Sequence, residues 1–187
     1  MQKIAYLIPI LVGLSGPAVA GCPSAPDHAD ALTLLFDEAA QATTQSEGRA
    51  ISDQMWELWT DAPDEIAQAM LEQGMAMRES YDFLGAIATF DRLVDYCPDY
   101  AEGYNQRAFV YFLRQEFDLA AQDLDRALAL SPRHVAALSG KALTLMALNR
   151  LDEARAALAM ALALNPWIPE RGLAAPGGPL EPPGEDI

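Results

Sequence analysis

The sequence predicts an all-α fold, a solenoid of stacked helix pairs, and three observations carry that reading. Pro98, Pro132 and Pro166 stand 34 residues apart, and three 34-residue units written from Ala67, Ala101 and Val135 align without a gap. Small residues recur at the eighth position (Gly74, Ala108, Ala142) and the twentieth (Ala86, Ala120, Ala154), where two antiparallel helices must cross closely. Large apolar residues recur at the twenty-fourth (Phe90, Leu124, Leu158), where one helix covers its neighbour. With 187 residues, 51% of them hydrophobic, the chain can bury a sizeable core without disulfide or metal staples.

In chain order, residues 1–20 read as an export signal. Lys3 supplies the positive start, Ile4 to Leu14 the apolar centre, and Ala18-Val19-Ala20 the small-residue end. Pro9, Gly13, Gly16 and Pro17 break the run, and it is shorter than the ~20 residues a spanning helix needs. The chain is therefore expected to be periplasmic or secreted, in a bacterial setting. Two chemistries compete for Cys22. In an oxidising compartment it pairs with the only other cysteine, Cys97. Alternatively, Val19-Ala20-Gly21-Cys22 resembles a lipobox, which would make Cys22 a lipidated first residue and the protein a membrane-anchored lipoprotein.

Residues 21–66 carry two amphipathic stretches, 27–42 and 47–60, with Leu32, Leu35, Phe36 and Ala39 on one face and Ile51, Met55, Leu58 and Trp59 on the other. They predict a degenerate helix pair or N-terminal cap ahead of the units 67–100, 101–134 and 135–168. Each unit reads as helix A (67–80, 101–114, 135–148), a turn, and helix B (84–97, 118–131, 152–164). The tail 169–187 is rich in proline and glycine and cannot be helical throughout. An end helix would otherwise show its apolar face to water, so Trp167, Ile168 and Leu173 are expected to fold back over the last pair, with Leu180 to Ile187 loose. The rival reading exposes Trp167 for self-association.

Taken together, residues 67–168 resemble the tetratricopeptide repeat, a helix-turn-helix unit that stacks into a right-handed solenoid. The second unit carries the match most fully, in Tyr104, Ala108, Tyr111, Phe117, Ala120, Ala127 and Pro132. It departs at the seventh position, usually Leu, where Gln73, Arg107 and Lys141 stand; a buried ion pair from Arg107 to Asp123 would account for one of them. The resemblance implies a concave groove lined by helix A. Its rows would be Gln68, Leu71, Met75, Arg78 and Glu79; then Glu102, Asn105, Phe109, Phe112 and Leu113; then Ala136, Ser139, Leu143, Met146 and Ala147. Asn105 would be a central amide for an extended peptide backbone. Family members that clamp a chaperone's C-terminal carboxylate use Lys, Asn and Arg in the groove. Leu71, Met75 and Gly140 stand at such positions here, so an apolar or helical segment, or a loop of a folded partner, fits better.

Catalytic chemistry finds no support. The two histidines, His28 and His134, are far apart in sequence, and no H-E-x-x-H, C-x-x-C, phosphate loop or nucleophile elbow is present. Asp27, His28 and Asp30 read as a helix start rather than metal ligands, and Asp123 with Asp125, or Asp152 with Glu153, as solvated helix charges. A net charge of −15 argues against nucleic acid and against docking on anionic lipid. The expected function is a non-enzymatic adaptor or scaffold, with no cofactor, no metal and no small-molecule substrate, that binds a peptide or protein partner in the groove. Membrane attachment would follow only from lipidation of Cys22. The alternative is a structural subunit of an envelope assembly, docking through its convex face or tail.

Overall fold

The structure is a computed structural model describing residues 21–182; residues 1–20, with the expected export signal, and residues 183–187 lie outside the described residues. The described residues contain no strand. Eight α-helices follow in order: α1 (Ala29–Gln41), α2 (Gln45–Trp59), α3 (Glu65–Glu79), α4 (Phe83–Tyr96), α5 (Ala101–Leu113), α6 (Phe117–Leu130), α7 (Val135–Ala147) and α8 (Leu151–Leu164). A short 3-10 turn, Pro169–Ala174, closes the last unit.

Helices α3 to α8 pair as three stacked units, and the recurring small residues set how closely each pair crosses. At Gly74 an added Cβ would lie 2.4 Å from the Phe90 ring. Ala86, Ala120 and Ala154 are each fully buried at the crossings. Within each unit the helices are joined by the same turn. Tyr81, Gln115 and Asn149 all take the left-handed conformation (φ 64°, 63° and 59°). The following N–H groups of Asp82, Glu116 and Arg150 donate back to the carbonyls of Met77, Tyr111 and Leu145, each at 2.9 Å. This is the Schellman arrangement that satisfies the last carbonyls of a helix.

Ion pairs explain two of the three unusual seventh positions, Arg107 and Lys141; Gln73 is exposed. Arg107 donates to Asp123 within its own unit and to Asp91 of the preceding one, all at 2.7 Å. Lys141 reaches Asp125 at 2.6 Å in the same register, again from one unit to the one before. A polar ladder therefore replaces the usual leucine contact between units. The remaining acidic neighbours are paired as well, Asp152 with Arg155 and Glu153 with Arg150.

The N-terminal pair departs from the expected order. It is helical, with Thr44 and Glu47 forming a reciprocal capping box at the start of α2. Instead of preceding the first unit, α1 and α2 pack against the third. Leu35, Phe36, Ala39, Ile51 and Met55 share one core with Leu138, Leu145, Leu158 and Ile168. Asn165 Nδ2 donates to Ser52 Oγ at 2.8 Å and Arg133 Nη1 to Thr33 Oγ1 at 3.0 Å. The physical reason lies in what each end offers. The leading face of α3 presents Ala69, Glu72, Gln73 and Ala76 to solvent, with Ile66 its one large apolar group at 59% exposed, so a cover gains little there. At the other end an uncovered α8 would expose leucines.

The tail completes that cover. Trp167 does not protrude: its Nε1–H donates to the Ala39 carbonyl at 3.0 Å, and its ring lies so close to Gly48 that an added Cβ would meet it at 2.1 Å. Ile168 is buried, and Leu173 packs at the edge of the same core. Leu180, expected to be loose, is only 1% exposed. Gly177, with φ 80°, turns the chain so that the Leu180 N–H returns to the Leu173 carbonyl at 2.9 Å. On the opposite side of the molecule, Cys22 is joined to Cys97 with Cα atoms 5.1 Å apart, within ordinary disulfide reach.

Candidate functional site

The concave face is built by α3, α5 and α7, and α2 crosses over part of it. What lies between is a half-open pocket of about 360 Å³. Arg78, Asn105, Phe109, Phe112, Ser139 and Leu143, six of the expected groove residues, line it. Met55, Trp56 and Trp59 of α2 form a wall, and Ile168, Pro169 and Glu170 close one side.

Ala136 lines the pocket as well, whereas Gln68, Leu71, Met75, Glu79, Glu102, Leu113, Met146 and Ala147 do not. Leu71 is fully buried in the core of the first unit, packed with Phe90 and Leu93, because its helix position turns inward once α4 is in place. Met75 and Met146 pack against the cores of the first and third units and do not line the pocket. Glu102 is 1% exposed and sits behind the pocket as the hub of a polar network.

That network is closely matched. Glu102 accepts from His134 Nε2 at 2.7 Å, from Asn105 Nδ2 at 3.0 Å, and from the side-chain amide of Gln106. His134 Nδ1 accepts from the Ala137 N–H at 3.3 Å, capping α7, so the ring proton resides on Nε2 and points at the carboxylate. The Trp59 indole stacks on His134, ring centroids 4.3 Å apart. Tyr100 donates its hydroxyl to the Trp59 carbonyl at 2.9 Å. Burial, reinforced by the negative charges of Glu102 and Asp61, pushes the Tyr100 phenol well above its usual range. One N–H of the Asn105 amide is used on Glu102, and Asn105 stands on the pocket lining. His28 Nε2 faces Asp61 at 2.7 Å, outside the pocket.

Arg78 is the one cation on the pocket wall. It donates to Gln106 Oε1, and its guanidinium lies 4.9 Å over the Phe109 ring. Desolvation holds its pKa below the usual arginine range, against the raising effect of Glu79 and Glu102. Among the described residues, three buried side-chain polar atoms have no hydrogen-bond partner: Trp59 Nε1, Ser139 Oγ and Thr144 Oγ1. All three belong to residues of the pocket wall.

Sequence reasoning missed Trp56, Trp59 and Gln106 as site residues. Gln106 and Glu102, four apart on α5, could have been read as a polar pair; nothing in the sequence places α2 across the groove.

Residues 111–166 match a model described as tetratricopeptide repeat. A tetratricopeptide repeat protein 36 homolog of Nematostella vectensis is 42% identical over 65 residues, 35% of this chain and 36% of the relative. A TPR repeat-containing protein of Rhizobium etli is 25% identical over 111 residues, 59% of this chain and 54% of the relative. The chain thus spans about half or less of the curated relatives it matches. Among solved structures, the first TPR of Spaghetti (RPAP3), bound to the HSP90 peptide SRMEEVD, superposes with a TM-score of 0.53 at 27% identity. It covers 54% of this chain and 79% of that one. The Arabidopsis OM64 TPR domain superposes with a TM-score of 0.54 at 24% identity, over 55% and 85%.

Proposed function

We propose that this chain, whose fold is the tetratricopeptide-repeat solenoid, is a non-enzymatic adaptor that binds a peptide or protein partner on its concave face. The observation that carries the reading is the apolar strip left open beside the pocket. Phe109 and Leu113 are 45% and 41% exposed, on the helix that forms the middle of the concave surface. A solved structure at 27% identity is bound to a peptide, which supports a peptide or protein partner for this chain. Leu71, Met75 and Gly140 supply no cation for a carboxylate clamp, so an apolar or helical segment is the partner chemistry that fits. The stacked units hold the surface preformed, and the partner bears most of the ordering entropy.

Export is part of the proposal, resting on Lys3, the apolar run Ile4–Leu14 and Ala18-Val19-Ala20, with the Cys22–Cys97 pairing in keeping with an oxidising compartment. Intact mass checks it: a start at Gly21 with two protons lost on oxidation supports the disulfide, whereas a start at Cys22 with added acyl mass supports the lipoprotein. The alternative, a subunit of a larger assembly, has the outer-helix residues Leu84 and Met160 as its exposed apolar surface. In-cell photo-crosslinking separates the two. A reactive group at Leu113 gives a discrete adduct lost on Phe109→Ala if the concave face binds. Adducts from Gln122 on the outer helix α6, and none from Leu113, move the function to the convex side.

A further inference from the structure

We propose that the half-open pocket beside α2 is a site for a small monoanion with an apolar body, its carboxylate held by Arg78. The site shares Phe109 with the strip assigned to a partner, which continues to Leu113 outside the pocket.

The reasoning starts from two arginines of nearly equal burial. The Arg107 side chain is 17% exposed and three of its N–H groups donate to carboxylates at 2.7 Å. The Arg78 side chain is 13% exposed, yet its one hydrogen bond among the described residues goes to a neutral amide, that of Gln106. Its nearest carboxylate, Glu79, is 3.7 Å away, beyond hydrogen-bond reach, and 73% exposed. Gln106 in turn donates to the buried carboxylate of Glu102, whose charge offsets part of that of Arg78 without bonding to it directly; a buried guanidinium with no direct carboxylate partner is left under-satisfied. In a chain with 27 acidic residues against 12 basic ones, an acid could readily have been placed beside it. Four of the five guanidinium donors remain for an incoming carboxylate, in the planar fork that suits one.

The walls define the rest of the ligand. Trp56, Phe109, Phe112 and Leu143 offer a mostly apolar cavity of about 360 Å³, within the size range of small-molecule sites. Trp59, Ser139 and Thr144, residues of the lining, each carry a buried polar atom with no partner among the described residues. Because α2 and residues Ile168 to Glu170 wall the cavity, a compact ligand suits it better than a chain running through it. Glu170 stands on the pocket lining and makes no ion pair among the described residues, so it opposes an anion and sets an upper bound on affinity.

The test uses the intact protein with decanoate and its neutral analogue 1-decanol, both below their aggregation limits, followed by tryptophan fluorescence and calorimetry. Saturable one-to-one binding of decanoate, about tenfold tighter than decanol, is expected. Arg78→Met, which keeps the aliphatic stem, should abolish that preference without weakening decanol, and Glu170→Gln should strengthen decanoate. Equal affinity for acid and alcohol in the unaltered protein would overturn the proposal, as would a preference that survives Arg78→Met. The wild-type comparison stands even if a variant misfolds. A failure here leaves the Leu113 crosslink untouched, so the two readings fail separately.

Discussion

At the scale of single residues, the molecule is held by polar groups at positions where its repeat would ordinarily be apolar. Arg107 links two units through Asp91 and Asp123, and Asp123 is itself buried. Arg107→Met is therefore expected to cost about 2–3 kcal/mol, because it strands a buried carboxylate, and urea unfolding would read it. Lys141→Met should cost less than about 1 kcal/mol, since its partner Asp125 is 63% exposed. The acid limb of the stability profile is set in part by Asp64. The Ala67 N–H, then the Tyr96 hydroxyl, hold its carboxyl below the usual range. Its contribution is complete above the unfolded carboxylate pKa and disappears as pH falls through the lower folded value. Tyr96 is the counterpart: its phenol is raised by the same carboxylate, so that share is present below the unfolded tyrosine pKa and is lost as pH rises through the folded one. Asp64→Asn, which can still cap α3, should flatten both limbs in denaturation followed from acid to alkaline pH.

At the scale of elements, the three identical turns and the docked N-terminal pair make opposite demands on glycine. Tyr81, Gln115 and Asn149 occupy a conformation that disfavours ordinary side chains, least so for Asn. Tyr81→Gly and Gln115→Gly should each stabilise by about 1 kcal/mol, and Asn149→Gly by less; thermal melts would show the order. Gly48 is the reverse case, a helical glycine kept because the Trp167 ring occupies the place of its side chain. Gly48→Leu should release α1–α2 from the third unit, seen as rapid amide exchange in α1 while α3–α6 stay protected. The Cys22–Cys97 bond closes a loop of 75 residues that includes this pair. By the chain-entropy account its reduction should cost about 4 kcal/mol, measurable as a lower denaturant midpoint with reductant.

At the scale of the whole molecule, the repeat was legible and its closure was not. Pro98, Pro132, Pro166 and the alanines at the crossings encode local, periodic contacts, so the order and pairing of α3 to α8 follow from spacing alone. The burial of Leu71 and Glu102 was not readable, because both stand at helix-A positions that face a groove until the neighbouring elements turn them inward. The destination of the N-terminal pair depends on contacts between residues more than a hundred apart, such as Trp167 with Ala39 and Asn165 with Ser52. Amphipathicity says that Leu35 and Ile51 need a partner, not which one. The pocket exists only because of that choice. The measurement that tests it most directly is a pair of spin-label distances, with one label at Asp37 on α1 and the second at Met160 on α8 or Gln73 on α3. The native cysteines are both in the disulfide, which leaves introduced cysteines free for labelling. A shorter distance from Asp37 to Met160 than to Gln73 is the expected result. The opposite order would put the pair ahead of the first unit, take the α2 wall from the groove, and contradict the pocket described above.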